Sequence, residues 1–207
     1  LYALQKQYPN NWVKVVALEF NSGPSGARNA GWNAASQEYI ALLDSDDSWH
    51  PQKIEIQHAW MEANPNVVLT GHEISILLDE TTKGARSKLV HEAFELEGVV
   101  PSQFSKTRLL LRGNFSTSSV MLRREIKNRF ARGQNYGEDR LLLLEVVCAG
   151  GLIYKLSPPL EYKFKETFGA GGLSAHVWRM EKGELETFRK IWRAGYISLP
   201  TFCLVCA

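Results

Sequence analysis

The chain has 207 residues and a formal net charge of only +2, from 24 Lys and Arg against 22 Asp and Glu. Its hydrophobic fraction of 44% is enough to bury a sizeable core, which excludes an intrinsically disordered protein. The near-neutral charge provides no broad basic surface, so we predict no nucleic-acid partner. The three cysteines are too few for a secreted disulfide framework, and no apolar run is long enough to span a membrane, so we expect a cytoplasmic protein.

The first seventy residues alternate between short apolar runs and longer amphipathic stretches, a pattern that predicts strands and helices in turn. The predicted strands cover residues 12–20, 39–43 and 67–70. The predicted helices cover residues 1–8, 27–36 and 51–64, with Ser25 as the cap of the second. This βαβαβ order is typical of a parallel sheet, in which we expect 39–43 to be a central strand and 12–20 a buried one.

The pattern is less regular beyond residue 70. We predict a hairpin over 73–90, helices over 102–112, 141–149 and 174–194, and strands over 114–122 and 153–164. The glycine-rich residues 169–172 are expected to form a hinge before the last helix.

Three carboxylates follow the apolar run 39–43: those of Asp44, Asp46 and Asp47. Ligands of open α/β sheets collect at the carboxyl ends of strands, because the loops there diverge. Carboxylates so close together repel one another, and a divalent cation such as Mg²⁺ or Mn²⁺ is one remedy. A solvated acidic turn that caps the next helix is an equally good interpretation of the cluster alone. An EF-hand loop is excluded, because Trp49 stands where that loop requires glycine.

Arg28 follows a glycine-rich turn at residues 23–26 and lies in the first turn of the predicted helix 27–36. Backbone amides at a helix N-terminus favour anions. A phosphate site beside a metal site predicts a diphosphate ligand bridged by the cation. The glycine turn adds little by itself, because it lacks the P-loop lysine and the GxGxxG spacing.

Several motifs occur in a fixed order: NSGPSGARN at 21–29, EYIALLDSDD at 38–47, TSSVMLR at 117–123 and GED at 137–139. Together they resemble the family 2 glycosyltransferases of GT-A fold, over about residues 1–180. The resemblance implies a Rossmann-like, open, mixed α/β sheet flanked by helices, with a C-terminal helical segment. It also implies an enzyme that transfers a sugar from a nucleotide-sugar, expected to be a UDP-sugar, to an acceptor hydroxyl with inversion.

The resemblance assigns roles to the acidic residues. Asp44 and Asp46 match the DxD motif, in which Asp46 would coordinate Mn²⁺ or Mg²⁺ and Asp44 would contact the ribose or the sugar of the donor. Asp139 matches the catalytic base, and Glu138 beside it is predicted to belong to the nucleotide-sugar site. Without the upstream motifs, Glu138 and Asp139 would be interpreted as favourable charges at a helix N-terminus.

Two basic side chains complete the predicted donor site. Arg28 matches the basic residue of the family's donor-binding loop. His176 follows the predicted hinge, where related enzymes carry a mobile loop that closes over the diphosphate. A histidine on an amphipathic helix is also compatible with a plain surface position.

On this basis we divide the chain into three portions. Residues 1–70 are predicted to bind the nucleotide-sugar, 71–168 to form the acceptor side with the Glu-Asp motif, and 169–207 to be a hinge and C-terminal helix and tail. The family begins with two further strands, and residues 1–7 resemble the helix that follows the second of them. We therefore expect the portion that holds the nucleotide base to be absent.

The expected acceptor is a saccharide or a lipid-linked saccharide, used in surface polysaccharide or glycolipid synthesis. The apolar C-terminal tail, which includes Cys203 and Cys206, predicts a peripheral membrane contact. Two alternatives stay open from the sequence: a catalytically inactive sugar-nucleotide-binding or interaction module, and a nucleotidyltransferase on a similar sheet.

Overall fold

A computed structural model describes residues 1–8, 10, 12–77, 93–164 and 176–206. The strands are β1 (Tyr39–Ala41), β2 (Asp47–Trp49), β3 (Val67–Ile76), β4 (Pro101–Gln103), β5 (Met121–Arg123) and β6 (Leu152–Lys163). The helices are α1 (Tyr2–Gln7), α2 (Gly23–Ala34), α3 (Lys53–Ala63), α4 (Lys106–Leu111), α5 (Glu138–Cys148), α6 (Val177–Arg193) and α7 (Leu199–Val205). The strands form one mixed sheet in the order β1-β5-β3-β6-β2, with β4 also paired to β6.

The long strands β3 and β6 form the middle of the sheet and run parallel to each other. Helices cover the sheet through two core clusters. The larger cluster contains the leucines of α5, residues 141–144, packed with Leu69 of β3 and Ile153 of β6. The smaller cluster joins Ile56 of α3 to Leu156 and Leu160 of β6. The first residues of β3 and β6, 67–69 and 152–154, are apolar, as expected for strands covered by helices.

The predicted α/β architecture is confirmed. The described helices α1, α3, α5 and α6 and strands β3 and β6 lie where the sequence pattern predicted them, with ends that differ by a few residues. The largest extension is in β3, which continues to Ile76. The rest of the predicted hairpin over 73–90, and the predicted hinge at 169–172, lie outside the described residues.

The prediction of a buried strand over 12–20 is wrong. The described residues of this segment belong to no strand, and the side chains at its two ends, Trp12 and Phe20, are exposed. An apolar run becomes a strand only when a neighbouring strand accepts its backbone hydrogen bonds. Within the described part of the chain, no strand pairs with this segment.

The prediction that 39–43 is a central strand of a parallel sheet is also wrong. β1 lies at the edge of the sheet and pairs antiparallel with β5, so that Ile40 is opposite Leu122. The parallel βαβαβ order therefore does not describe the first seventy residues. A short apolar run indicates burial, but it carries no information about the direction of the neighbouring strand.

Three other element boundaries differ from the prediction. α2 begins at Gly23 after Ser22, while Ser25 lies buried inside the helix and donates to the carbonyl of Gln134 at 2.8 Å. The predicted helix 102–112 is split into β4 and α4, because the side chain of Ser105 caps α4. The predicted strand 114–122 contains a 3₁₀ turn at Thr117–Ser119 before β5.

The chain ends in two helices that pack on the larger core. Phe188 and Ile191 of α6 are buried, and Trp192 stacks on Phe202 of α7 with 5.0 Å between ring centroids. No helix among the described residues combines the length and the apolar character needed to cross a membrane.

Gly71 of β3 packs directly against the ring of Phe115, because a Cβ atom at position 71 would lie 2.4 Å from the nearest ring carbon. We expect Gly71→Ala to lower the free energy of unfolding by about 1–3 kcal/mol, since neither backbone nor ring can move away without cost. Gly31→Ala is the matched control. Position 31 is helical, and a Cβ atom there would meet no described residue beyond its own helix within 4 Å, so alanine should stabilise slightly. Equal urea midpoints for both variants would contradict this packing.

Candidate functional site

The site centres on the guanidinium of Arg28, which lies between carboxylates from two distant segments. Nη2 of Arg28 donates to both carboxylate oxygens of Asp44 at 3.0 Å, and Nη1 donates to Oε1 of Glu138 at 2.8 Å. The side chains of Arg28 and Glu138 are only 14% and 9% exposed. This bridge joins helix α2, the acidic segment after β1 and the first turn of α5.

The charges in the bridge depend on one another. Burial opposes the charged form of Arg28, but Asp44 and Glu138 outweigh burial and raise the pKa of the guanidinium above its ordinary value. Burial, followed by the charge of Asp139, raises the pKa of Glu138, and Arg28 acts in the opposite direction. Removing Arg28 would therefore leave Glu138 poorly solvated and without its cation.

Ser118 of the 3₁₀ turn holds the acidic segment in place. Its hydroxyl accepts from the backbone N–H of Asp44 at 3.0 Å and donates to Oδ2 of Asp47 at 2.7 Å. Its carbonyl accepts from the indole N–H of Trp49 at 2.7 Å. Asp46 lies between these anchored positions with its residue exposed. Ser118 therefore anchors the acidic segment on both sides of Asp46.

Asp139 lies in the first turn of α5, next to Glu138. One carboxylate oxygen, Oδ2, accepts from the amide of Asn114 at 2.6 Å, and Oδ1 accepts from the backbone N–H of Arg140 at 2.8 Å. The residue is half-buried, so its carboxylate is oriented but remains accessible. A general base needs this combination of orientation and access.

The residue before this motif must be glycine. Gly137 has φ of 68°, and a Cβ atom there would lie 2.9 Å from Oγ1 of Thr187 and 3.1 Å from the carbonyl oxygen of Gly183. Thr187 of α6 also donates to the carbonyl of Gly137 at 3.0 Å. The close approach of α6 therefore fixes the start of α5, where Glu138 and Asp139 lie.

His176 is not part of this arrangement. It is the exposed residue that precedes α6, and the contacts that join Arg28, Asp44 and Glu138 do not include it. Its predicted contact with a diphosphate stays a prediction.

Beneath the acidic segment lie buried polar residues that the sequence analysis missed. Lys53 is fully buried with its ammonium 4.0 Å from the ring centroid of Trp49, and burial lowers its pKa to about 7. Burial raises the pKa of Glu161 to about 7, although Glu161 accepts from Ser116 at 2.7 Å. A lysine at the start of an amphipathic helix is ordinarily solvated, so no local pattern marks these residues.

His72 of β3 is also fully buried. Its Nδ1 lies 2.8 Å from the carbonyl oxygen of Glu73, to which it donates, and its Nε2 has no hydrogen-bond partner among the described residues. Burial, and then the positive charges of Lys53 and Lys155, lower its pKa to about 3. The imidazole is therefore held in its neutral form.

The donor set for a metal ion is small. Over the described ranges, which omit 78–92 and 165–175, no group of three or more His, Cys, Asp or Glu side chains could hold a metal ion. Asp46 is the exposed aspartate of the acidic segment, whereas Asp44 and Asp47 are half-buried. Magnesium commonly binds through one or two carboxylates together with substrate phosphates, and a single exposed aspartate fits such a site.

Comparison with known proteins shows which family the chain belongs to. Residues 2–130 match the model of the family described as glycosyl transferase family 2. The chain belongs to glycosyl transferase family 2. The matched range contains Arg28 and the acidic segment and ends before the Glu-Asp motif.

Among the relatives in this family is the succinoglycan biosynthesis protein ExoO of Rhizobium meliloti, which is 32% identical over 160 residues, covering 72% of this chain and 44% of the relative. Another is the UDP-Glc:alpha-D-GlcNAc-diphosphoundecaprenol beta-1,3-glucosyltransferase WfgD of Escherichia coli, 27% identical over 68% of this chain and 51% of the relative. The chain thus spans about half the length of these two relatives.

The whole chain also superimposes on the crystal structure of S. aureus TarS 1-349 in complex with UDP-GlcNAc, with a TM-score of 0.66 and 16% sequence identity. The match covers 100% of this chain and 58% of that structure. This likeness confirms the predicted GT-A fold of the family 2 chain.

The pairing of Arg28 can be tested through stability. Arg28→Ala should lower the free energy of unfolding by about 3 kcal/mol, because it leaves Glu138 buried without its cation. Adding Glu138→Gln to Arg28→Ala should recover part of that loss, since the uncharged amide costs less to bury. Arg132→Ala, at an exposed position, is the control. Urea unfolding measures all four proteins, and an Arg28→Ala variant as stable as the wild type would refute the bridge.

The buried imidazole of His72 predicts a dependence of stability on pH. Its pKa is about 3 in the folded protein against 6.5 for an ordinary histidine, so the unfolded chain binds more protons between these values. The contribution of His72 is therefore complete above pH 6.5 and declines as the pH falls towards 3.

By about pH 5 the loss should reach roughly 2 kcal/mol. His72→Asn keeps a donor for the carbonyl of Glu73 but cannot take up the proton. Subtracting the unfolding free energy of His72→Asn from that of the wild type at each pH isolates the contribution of His72. The contribution of Glu161 cancels, because Glu161 is present in both proteins. Parallel curves for the two proteins would show that His72 does not titrate in this way.

Proposed function

We propose that this family 2 chain is the catalytic portion of an inverting glycosyltransferase that transfers a sugar from a UDP-sugar to an acceptor hydroxyl. One observation carries the proposal: an accessible carboxylate, Asp139, is oriented by Asn114 directly beside the bridge that joins Glu138 to the acidic segment. A base on the acceptor side next to a donor-side acidic segment is what a single displacement requires.

In the proposed step, Asp139 accepts the proton of the acceptor hydroxyl while the oxygen attacks the anomeric carbon. The bond from that carbon to the diphosphate breaks at the same time, and the diphosphate leaves with the bonding electrons on the opposite face. The configuration at the anomeric carbon is therefore inverted, and no covalent enzyme intermediate forms. Asn114 keeps Asp139 aimed at the acceptor.

A bound Mn²⁺ or Mg²⁺ would neutralise charge that develops on the leaving diphosphate, and Asp46 is the residue that would hold it. Arg28 keeps Asp44 at a fixed position for the ribose or sugar of the donor, and Glu138 belongs to the same nucleotide-sugar site. We also propose that His176 contacts the diphosphate.

Names of relatives and of a structural neighbour support the choice of substrates. The TarS structure contains UDP-GlcNAc, and the name of the E. coli relative gives UDP-Glc as its donor and a diphosphoundecaprenol-linked sugar as its acceptor. The R. meliloti relative is named for succinoglycan biosynthesis. We therefore propose a UDP-sugar donor, a saccharide or lipid-linked acceptor, and a role in surface polysaccharide synthesis at the cytoplasmic side of the membrane.

An inactive sugar-nucleotide-binding module is the second candidate. The observation that favours it is a groove of about 1120 Å³ along the exposed edge of β1, lined by Lys14, Val15 and Trp32 among others. The groove borders both Arg28 and Asp44, so a ligand could occupy it without reaching Asp139.

Asp139→Asn tests the first candidate. Release of UDP in the presence of an acceptor should fall by roughly 10²–10⁴-fold, because the amide cannot take the hydroxyl proton. Binding of UDP with Mn²⁺, measured by calorimetry, should be unchanged. Glu125→Gln, an exposed carboxylate outside the site, is the matched control and should retain full turnover.

Two results would count against the enzyme. Unchanged turnover of Asp139→Asn would remove Asp139 as the base. UDP binding by the wild type without turnover of any UDP-sugar would favour the inactive module.

A further inference from the structure

A second surface, distant in sequence from the acidic segment, is apolar and open. Between α4 and residues 196–205 lies a cavity of about 290 Å³, and we call the surface around it the α4–α7 face. Two leucines that line the cavity are strongly exposed, Leu111 by 59% and Leu204 by 68%, and Leu199 at the start of α7 is exposed by 54%. Leucines exposed together around one cavity mark an interaction surface rather than scattered surface residues.

The charged residues on the segments that form the α4–α7 face are all basic. The sequence has no Asp or Glu between Glu97 and Glu125, and none after Glu186. Lys106 lines the cavity, Arg112 follows α4, and Arg193 ends α6 just before the C-terminal segment; all three are exposed. The side chain of Lys106 also donates to the carbonyl of Tyr196 at 3.1 Å, which ties α4 to the C-terminal segment. The result is an apolar centre with a basic rim.

We infer that the α4–α7 face docks on an anionic lipid surface. Apolar side chains enter the boundary between headgroups and acyl chains, while lysine and arginine stay at the level of the lipid phosphates. A second copy of the chain fits less well, because a symmetric contact would bring like charges together. The helices of the face need not cross the bilayer to bind in this way.

The position of the face deepens the proposed function, on which this step rests. α4 ends at Leu111, and Asn114, the partner of Asp139, follows three residues later. Three residues span at most about 11 Å, so the proposed base lies close to the docked surface. An acceptor sugar attached to a membrane lipid could thus reach Asp139 while its lipid chain stays in the bilayer. The structure therefore favours a lipid-linked acceptor over a free saccharide.

Cosedimentation with lipid vesicles tests the docking. The wild-type protein should bind vesicles of phosphatidylcholine mixed with phosphatidylglycerol, bind pure phosphatidylcholine weakly, and be released by salt. Leu199→Ser with Leu204→Ser should weaken binding roughly tenfold or more, because both apolar groups are lost. Arg112→Gln with Arg193→Gln should weaken binding and reduce its dependence on salt.

Control variants lie outside the face. Leu96→Ser changes an exposed leucine and Lys127→Gln an exposed cation, and neither should alter vesicle binding. Thermal unfolding should show that all variants are folded, since every substituted side chain is exposed.

The outcomes separate this inference from the proposed function. Absence of binding to anionic vesicles, or equal binding by the face variants and the controls, would overturn the docking. A concentration-dependent dimer that the leucine variants abolish would assign the face to a second copy and overturn it too. Loss of vesicle binding in the face variants, with full turnover on a soluble saccharide acceptor, would support it. Vesicle binding by a wild type that transfers no sugar would refute the proposed function alone.

Discussion

The candidate site depends on the ion pairs that the guanidinium of Arg28 makes with Asp44 and Glu138. The guanidinium neutralises Asp44, which lies 16 residues away, and Glu138, which lies 110 residues away, within one partly buried bridge. Neither carboxylate could be placed so close to Asp139 and Asp46 without a cation between them, because unpaired acidic groups repel and are costly to bury. The bridge therefore joins the acidic segment to helix α5 electrostatically rather than by apolar packing.

The sheet brings these segments together. β5 lies between β1 and β3, and the 3₁₀ turn just before β5 supplies Ser118, which binds the acidic segment from below. On the other side of β3, strand β6 runs parallel to β3 and pairs with β2. This pairing places Glu161 of β6 near Asp47. Distant parts of the sequence thus meet at one end of the sheet through strand order, and the site depends on the sheet as a whole.

Much of the fold was predictable because long elements carry strong periodic signals. The apolar helix α5 follows from its run of leucine and valine, strands β3 and β6 begin with apolar residues, and the ordered motifs indicated the family. The short elements were less predictable. The direction of β1 and the exposure of 12–20 depend on which strands are neighbours, and a local pattern does not contain that information. The partners of Arg28, and the burial of Lys53 and His72, depend on contacts between residues far apart in sequence.

The tight contact between α5 and α6 makes the two helices mechanically dependent. At their crossing there is no side chain on Gly137 or Gly183, and a Cβ atom on Gly183 would lie 2.5 Å from the carbonyl oxygen of Tyr136. A contact between main-chain atoms allows almost no adjustment, because main-chain atoms cannot change rotamer as side chains do. Helix α6 cannot slide along α5 without carrying the first turn of α5, and with it Asp139. Helix α6, which follows Asp139 by some forty residues in the sequence, thus fixes the position of the proposed base.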